Sequence, residues 1–106
     1  MFEAIVIDFS KYNGPVYTGR ERGARLRQEL ALDSVDESGV SVEVSIPDNT
    51  YTVTSSFFLG LFGPSVVRAG SKDKFYRQYH FKAPAFLRPE VDGYVARALQ
   101  GRNLFH

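Results

Sequence analysis

Between positions 57 and 62 the chain reads Phe57-Phe58-Leu59-Gly60-Leu61-Phe62, six residues without one polar side chain. Wound as a helix, such a run is apolar on every side, so other elements must enclose it or it must cover an interface. It is far too short to cross a bilayer. Directly ahead stand Thr54-Ser55-Ser56, hydroxyl residues suited to accept hydrogen bonds from the free N–H groups of a helix start. Gly63-Pro64 is expected to kink or restart the helix before Val66-Val67.

The rest of the chain has to supply the enclosure. Val40-Ser41-Val42-Glu43-Val44-Ser45-Ile46 alternates apolar with polar and is the strongest strand pattern present. Residues 3–9 predict an earlier strand with Ile5, Ile7 and Phe9 on one face. Asn13-Gly14-Pro15 reads as a turn before a short extended Val16-Tyr17, and Tyr51-Thr52-Val53 is extended after the turn Pro47-Asp48-Asn49. Residues 75–81 predict a further strand with Phe75, Tyr79 and Phe81 inward.

Thr18 and Glu21 have the spacing of a capping box and predict a helix running to about Leu32. Its inner stripe is Gly19, Gly23, Leu26 and Leu30. Two glycines there cost helix propensity, which close approach to a sheet would explain. Residues 33–39 read as an acidic loop, and Gly70-Ser71-Lys72-Asp73 as a turn. A last helix opens at Pro89 and closes at Gly101, with Val91, Val95, Ala98 and Leu99 inward. Strands alternating with helices imply crossovers. The expected fold is therefore α/β, a mixed sheet of four to five strands covered by about three helices.

At 106 residues the chain is sized for one domain, residues 1–106, with a modest core. Nine Phe and six Tyr make rings the main core material. The absence of Cys removes disulfides, thiolate catalysis and Cys-based zinc sites. His80 and His106 are too few for a His-rich metal site, and no cofactor is expected. The N-terminal residues lack the basic and apolar regions of a signal peptide. The expectation is a soluble, cytoplasmic domain without a membrane partner.

Enzyme motifs are missing: there is no dinucleotide-binding glycine pattern, no phosphate-binding loop and no nucleophile elbow. Ser56, His80 and Asp8 could form a triad only on paper, and His80 reads as a surface strand residue. No catalytic residue is assigned, and the chain is read as a non-enzyme. Arg20, Arg22, Arg25 and Arg27 crowd one helix. They suit a solvated face, with contact to an acidic partner or a phosphate as the sharper alternative. With Tyr76 and Tyr79 they also give the second functional reading, a small nucleic-acid-associated regulatory module. A formal net charge of +1 argues against it, since such binders usually carry a large basic excess.

The segment Tyr51-Thr52-Val53-Thr54-Ser55-Ser56-Phe57-Phe58-Leu59-Gly60-Leu61-Phe62-Gly63 resembles the Ser-Ser-Phe-Leu helix signature of the STAS-like domains of unknown function. These are small bacterial relatives of the anti-sigma-factor antagonists. The early Ile-Val-Ile-Asp-Phe strand, the Gly-x-x-x-Gly-x-x-Leu-Arg helix and the aromatic segment before a final helix agree, so the resemblance spans roughly residues 2–99. It implies a STAS-like fold and a signalling role through protein–protein contact. In the antagonists a switch kinase phosphorylates a Ser at this strand-to-helix junction, which makes Ser56 the phosphoacceptor candidate by position and Ser55 its neighbour. Thr54 stands where the antagonists carry Asp, and Phe57 where they carry Gly. The implied partner is a histidine-kinase-type ATPase switch protein. Thr54, Phe58, Leu59 and Phe62, with Arg22 and Arg25 of the first helix, are the expected partner-binding residues. The apolar surface around Phe58, Leu59 and Phe62 would dock that partner or a second copy of the chain.

Overall fold

The computed structural model describes residues 4–12 and 14–104. Glu3, Asn13 and His106, which figured in the expected strand, turn and histidine count, lie outside the described residues. Five strands and five α-helices are present among the described residues: β1 (Ile5–Asp8), β2 (Val16–Tyr17), α1 (Arg20–Glu29), α2 (Leu32–Ser38), β3 (Val42–Ser45), β4 (Thr52–Val53), α3 (Ser55–Ala69), α4 (Lys72–Gln78), β5 (Tyr79–Lys82) and α5 (Arg88–Leu104).

The class is α/β, with a sheet layout that differs from the expected one. Instead of one mixed sheet there are two, both wholly parallel: β1-β3-β5 and the two-stranded β2-β4. Ile5 pairs with Val42 and Val42 with Tyr79, so one register row runs across the larger sheet. The helices cover one of its faces. Ile7, Val42, Val44 and Tyr79 are buried there, whereas Val6, His80 and Lys82 stand exposed on the other. The strict alternation of β3 produces this division. The Glu43 and Lys82 side chains pair across the open face at 2.6 Å.

Three local expectations change. The helix α1 does not use a Thr18–Glu21 capping box: Gly19 is the N-cap, at φ 92°, and no side chain caps the first turn. The helix ends at Glu29, and Ala31 takes a left-handed conformation (φ 53°) before α2 begins. The supposed loop 33–39 thus belongs largely to α2, which buries Leu32, Val35 and Asp36. The third change concerns residues 75–81, where α4 continues to Gln78 and only Tyr79–Lys82 is strand. Phe75 and Tyr79 do point inward, one helical turn apart, with their rings stacked at 4.9 Å.

The apolar run became the centre of the molecule. Helix α3 continues unbroken through Pro64 to Ala69 and ends on Gly70 in the left-handed region (φ 86°). Its Phe57, Phe58, Leu61, Phe62 and Val66 are buried. The rings of Phe57, Phe58 and Phe62 meet those of Phe9, Tyr17, Phe75, Tyr79, Phe81 and Tyr94. Gly23 of α1 serves this helix rather than the sheet. A Cβ at Gly23 would lie 2.3 Å from the Phe57 carbonyl oxygen, and one at Gly60 would lie 2.3 Å from that of Arg20. The two backbones therefore cross in direct contact. Gly19, expected on the inner stripe, is exposed.

Candidate functional site

The β2-β4 ribbon delivers the chain to the start of α3. Thr54 follows β4 in extended backbone, and its Oγ1 accepts from the Phe57 N–H at 3.3 Å, the cap expected from its position. The Tyr94 hydroxyl of α5 donates to the Val53 carbonyl at 2.8 Å and ties the junction down. Burial pushes that phenol above its ordinary 10.0. Ser55 is half-buried, with its Oγ 3.4 Å from the Arg97 Nη1, while Ser56 is exposed.

The expected contact residues separate into two groups. Phe58 and Phe62 are 2% and 1% exposed. Phe58 packs on Phe62, Phe81 and Tyr94, so both rings are core and the docking role expected of them does not stand. Leu59 is half-buried and faces outward. Arg22 and Arg25 do not join Leu59. They border a separate hollow of 280 Å³ with Lys11, Tyr12 and Glu29. There the Arg22 guanidinium lies 5.5 Å from the Tyr17 ring centre and 5.8 Å from that of Phe57, and donates to the Val16 carbonyl.

Arg27 leaves the surface altogether. Its Nη1 donates to the Leu61 carbonyl and to Ser65 Oγ, and its Nη2 to Asp33 and Asp36. The Asp36 side chain is 2% exposed. It also accepts from Ser65 Oγ and from the Tyr79 hydroxyl, each at 2.6 Å. Burial, then the Asp36 bond, pushes the Tyr79 phenol well above its ordinary 10.0. This network links α1, α2, α3 and β5. Tyr76, for its part, is half-buried and donates to Asp92. The arginine and tyrosine set of the nucleic-acid reading therefore forms no single surface. Asp8 accepts from Ser10, and no hydrogen bond joins it to His80 or Ser56 among the described residues.

On the outer side of α3 a groove of about 990 Å³ opens. Leu59, Gly63, Pro64 and Val67 form its floor, Gly60 marks its border where α1 crosses, and Ser56 extends the same stripe at the helix start. Ala24 of α1 and Ala98 and Gly101 of α5 line its walls, and Arg20, Arg68 and Arg97 its rim. Both α1 and α5 pack on α3, and no substantial packing joins them to each other, so the space between them is open. Sequence reasoning missed this groove because it kinked or restarted the helix at Gly63-Pro64. Carried through the proline, spacings of three and four put Ser56, Leu59, Gly60, Gly63, Pro64 and Val67 on one face. The buried Asp36 network left no pattern to find, since nothing in hydropathy marks a charged residue as internal. Among the described residues no helix is long and apolar enough to cross a membrane. In comparisons with protein-family models, with curated proteins and with solved structures, nothing matches this chain.

Proposed function

We propose that this chain is a regulatory, non-enzymatic domain of the STAS-like kind that works in the cytoplasm by docking another protein on the outer face of α3. The observation that carries the reading is the open stripe of α3. The most apolar helix of the chain leaves a groove between α1 and α5, with half-buried Leu59 at its start and exposed Pro64 and Val67 further along. Apolar surface held open in this way marks contact sites. Ser56 at the end of the stripe gives the site a means of control. A phosphate there would meet the N-terminus of α3, where negative charge is favoured, with the Arg97 guanidinium beside the neighbouring Ser55. A histidine-kinase-type ATPase switch protein is the partner this arrangement would suit.

Leu59→Glu tests the reading. Tagged wild-type protein recovered from its own cells is expected to carry a protein partner in fixed stoichiometry, and Leu59→Glu to lose it while keeping the wild-type circular dichroism spectrum. An unchanged oligomeric state together with unchanged partner recovery would sink the proposal. Intact mass before and after phosphatase treatment reads the Ser55 and Ser56 hydroxyls. A phosphatase-sensitive adduct supports a switch, and an unmodified protein across growth conditions reduces them to residues of a helix start.

A further inference from the structure

The groove on α3 is selective about what could fill it. Three guanidiniums stand at its rim, one each from α1, α3 and α5, and among the described residues no carboxylate side chain lines it. None of Arg20, Arg68 and Arg97 has a salt-bridge partner among the described residues. At about 990 Å³ it lies at the upper end of the ~300–1,000 Å³ range of small-molecule pockets, and it is open along its length. Its walls are α-helices, so no strand edge offers hydrogen bonds to an incoming extended chain. An extended segment would bring unpaired backbone N–H and C=O groups against Leu59, Pro64 and Val67, where they lose water without gaining a partner. A helix satisfies its own backbone and meets no such cost.

Resting on the docking reading above, we infer that the groove receives one amphipathic helix of the partner, its apolar face on α3 and its flanks rich in Asp and Glu. Small residues at Gly63, Ala98 and Gly101 give that helix close approach. A Cβ at Gly101 would meet nothing within 4 Å, and one at Gly63 only Leu59 at 3.8 Å. A second copy of the chain is a poor occupant. Two-fold pairing would set the groove against itself and place arginine against arginine, with no carboxylate among the described lining residues to separate them. Apolar anchors at spacings of three, four and seven on the incoming helix would match the stripe on α3, and its acidic flanks would answer the rim.

The test is a display library of helical 16-residue peptides with Leu fixed at those spacings and the flanking positions randomised, selected on the full chain. Enrichment of Asp and Glu at the flanks is expected, with amide shifts on binding centred on Ala24, Leu59, Gly63 and Ala98. Gly101→Leu, which fills the groove, and the Arg68→Glu/Arg97→Glu double variant should each weaken the selected peptides at least ten-fold. The double variant should in turn select basic flanks. Neutral or basic flanks on the wild type, shifts centred on the Arg25 hollow, or no enrichment at all would each overturn the inference. So would a sedimentation profile showing self-association through the groove, or binding to anionic phospholipid vesicles that the selected peptides do not displace. Partner recovery that is still lost in Leu59→Glu in any of these cases leaves the docking reading standing, whereas recovery unchanged by Leu59→Glu removes both.

Discussion

Gly60 and Gly63 sit one turn apart on the same helix and are under opposite constraints. At Gly60 a Cβ would strike the backbone of α1, with the Arg20 carbonyl oxygen at 2.3 Å and the Ala24 nitrogen at 3.0 Å. At Gly63 the nearest atom is the Leu59 Cβ at 3.8 Å, an ordinary contact. One side of α3 is closed to the limit of backbone contact and reinforced by a buried ionic network, while the adjacent stripe is left empty. The lesson is that the glycines of one helix answer to different demands: some permit a crossing, others leave room for something outside the domain. The arginines divide in the same way, Arg27 being consumed by the closed side while Arg20, Arg68 and Arg97 surround the open one.

Breaking the closed side should have the largest effects. Asp36→Ala removes the acceptor of Arg27, Ser65 and Tyr79 and leaves a buried guanidinium with exposed Asp33 as its carboxylate partner. Urea unfolding is expected to show a loss of about 4 kcal/mol, as for other buried pairs deprived of one member. Gly60→Ala and Gly23→Ala come next, at about 3 kcal/mol, because the added methyl meets backbone that cannot give way and the helix-propensity gain of about 1 kcal/mol does not compensate.

Tyr79→Phe deletes one bond to Asp36 and is expected to cost about 1 kcal/mol near neutral pH. Its sharper signature is alkaline. The folded state holds the neutral phenol, so its pKa is raised above the ordinary 10.0. That contribution is complete below pH 10 and is lost as pH rises through the folded value. The wild type should therefore lose stability more steeply above pH 10 than Tyr79→Phe does. Tyr76, raised mainly by burial and next by Asp92, keeps some slope in both. Equal slopes would show that the Tyr79 proton is not held by the fold.

The open side predicts small or favourable changes. Thr54→Ala should cost about 1 kcal/mol through the lost cap. Gly63→Ala should be neutral or stabilise by up to ~1 kcal/mol, since helix propensity is gained at little steric cost. A large loss at Gly63 would mean that the groove closes in solution, and the contrast with Gly60 would disappear.

What could be read from residue order depended on how local each cause was. The cap at Thr54, the face of β3 and the inner stripe of α5 are set by neighbours within a turn or a strand, and their patterns were plain. Helix α2 was hidden because two apolar residues, Leu32 and Val35, are all that its seven positions bury besides Asp36; without the network across the molecule, the segment looks like a polar loop. Helix α4 was hidden by an ambiguity of period: Phe75, Tyr79 and Phe81 satisfy a strand's alternation, while Phe75 and Tyr79 alone satisfy a helical turn. The capping box at Thr18 failed because Gly19, with positive φ, moved the helix start by one residue. Of the expected contact set, only the outward residues remain at the surface. Which sides of α3 would be covered depended on a tertiary crossing that no local pattern contains.

The order β1-β3-β5 has a consequence for how the domain comes into being. Each parallel pairing joins segments separated by helices, Ile5 to Val42 and then Val42 to Tyr79, so the sheet contains no hairpin that could form early. Loop closure must be met before any ladder bond offsets it, which places the domain among slower, high-contact-order folders. A chain emerging from the ribosome cannot complete its larger sheet until residues 79–82 are free. Up to that point α3 has only the β1-β3 and β2-β4 pairings to settle on, Phe62 lacks Tyr79 and Phe81, and a fragment ending before β5 should aggregate rather than persist as half a domain.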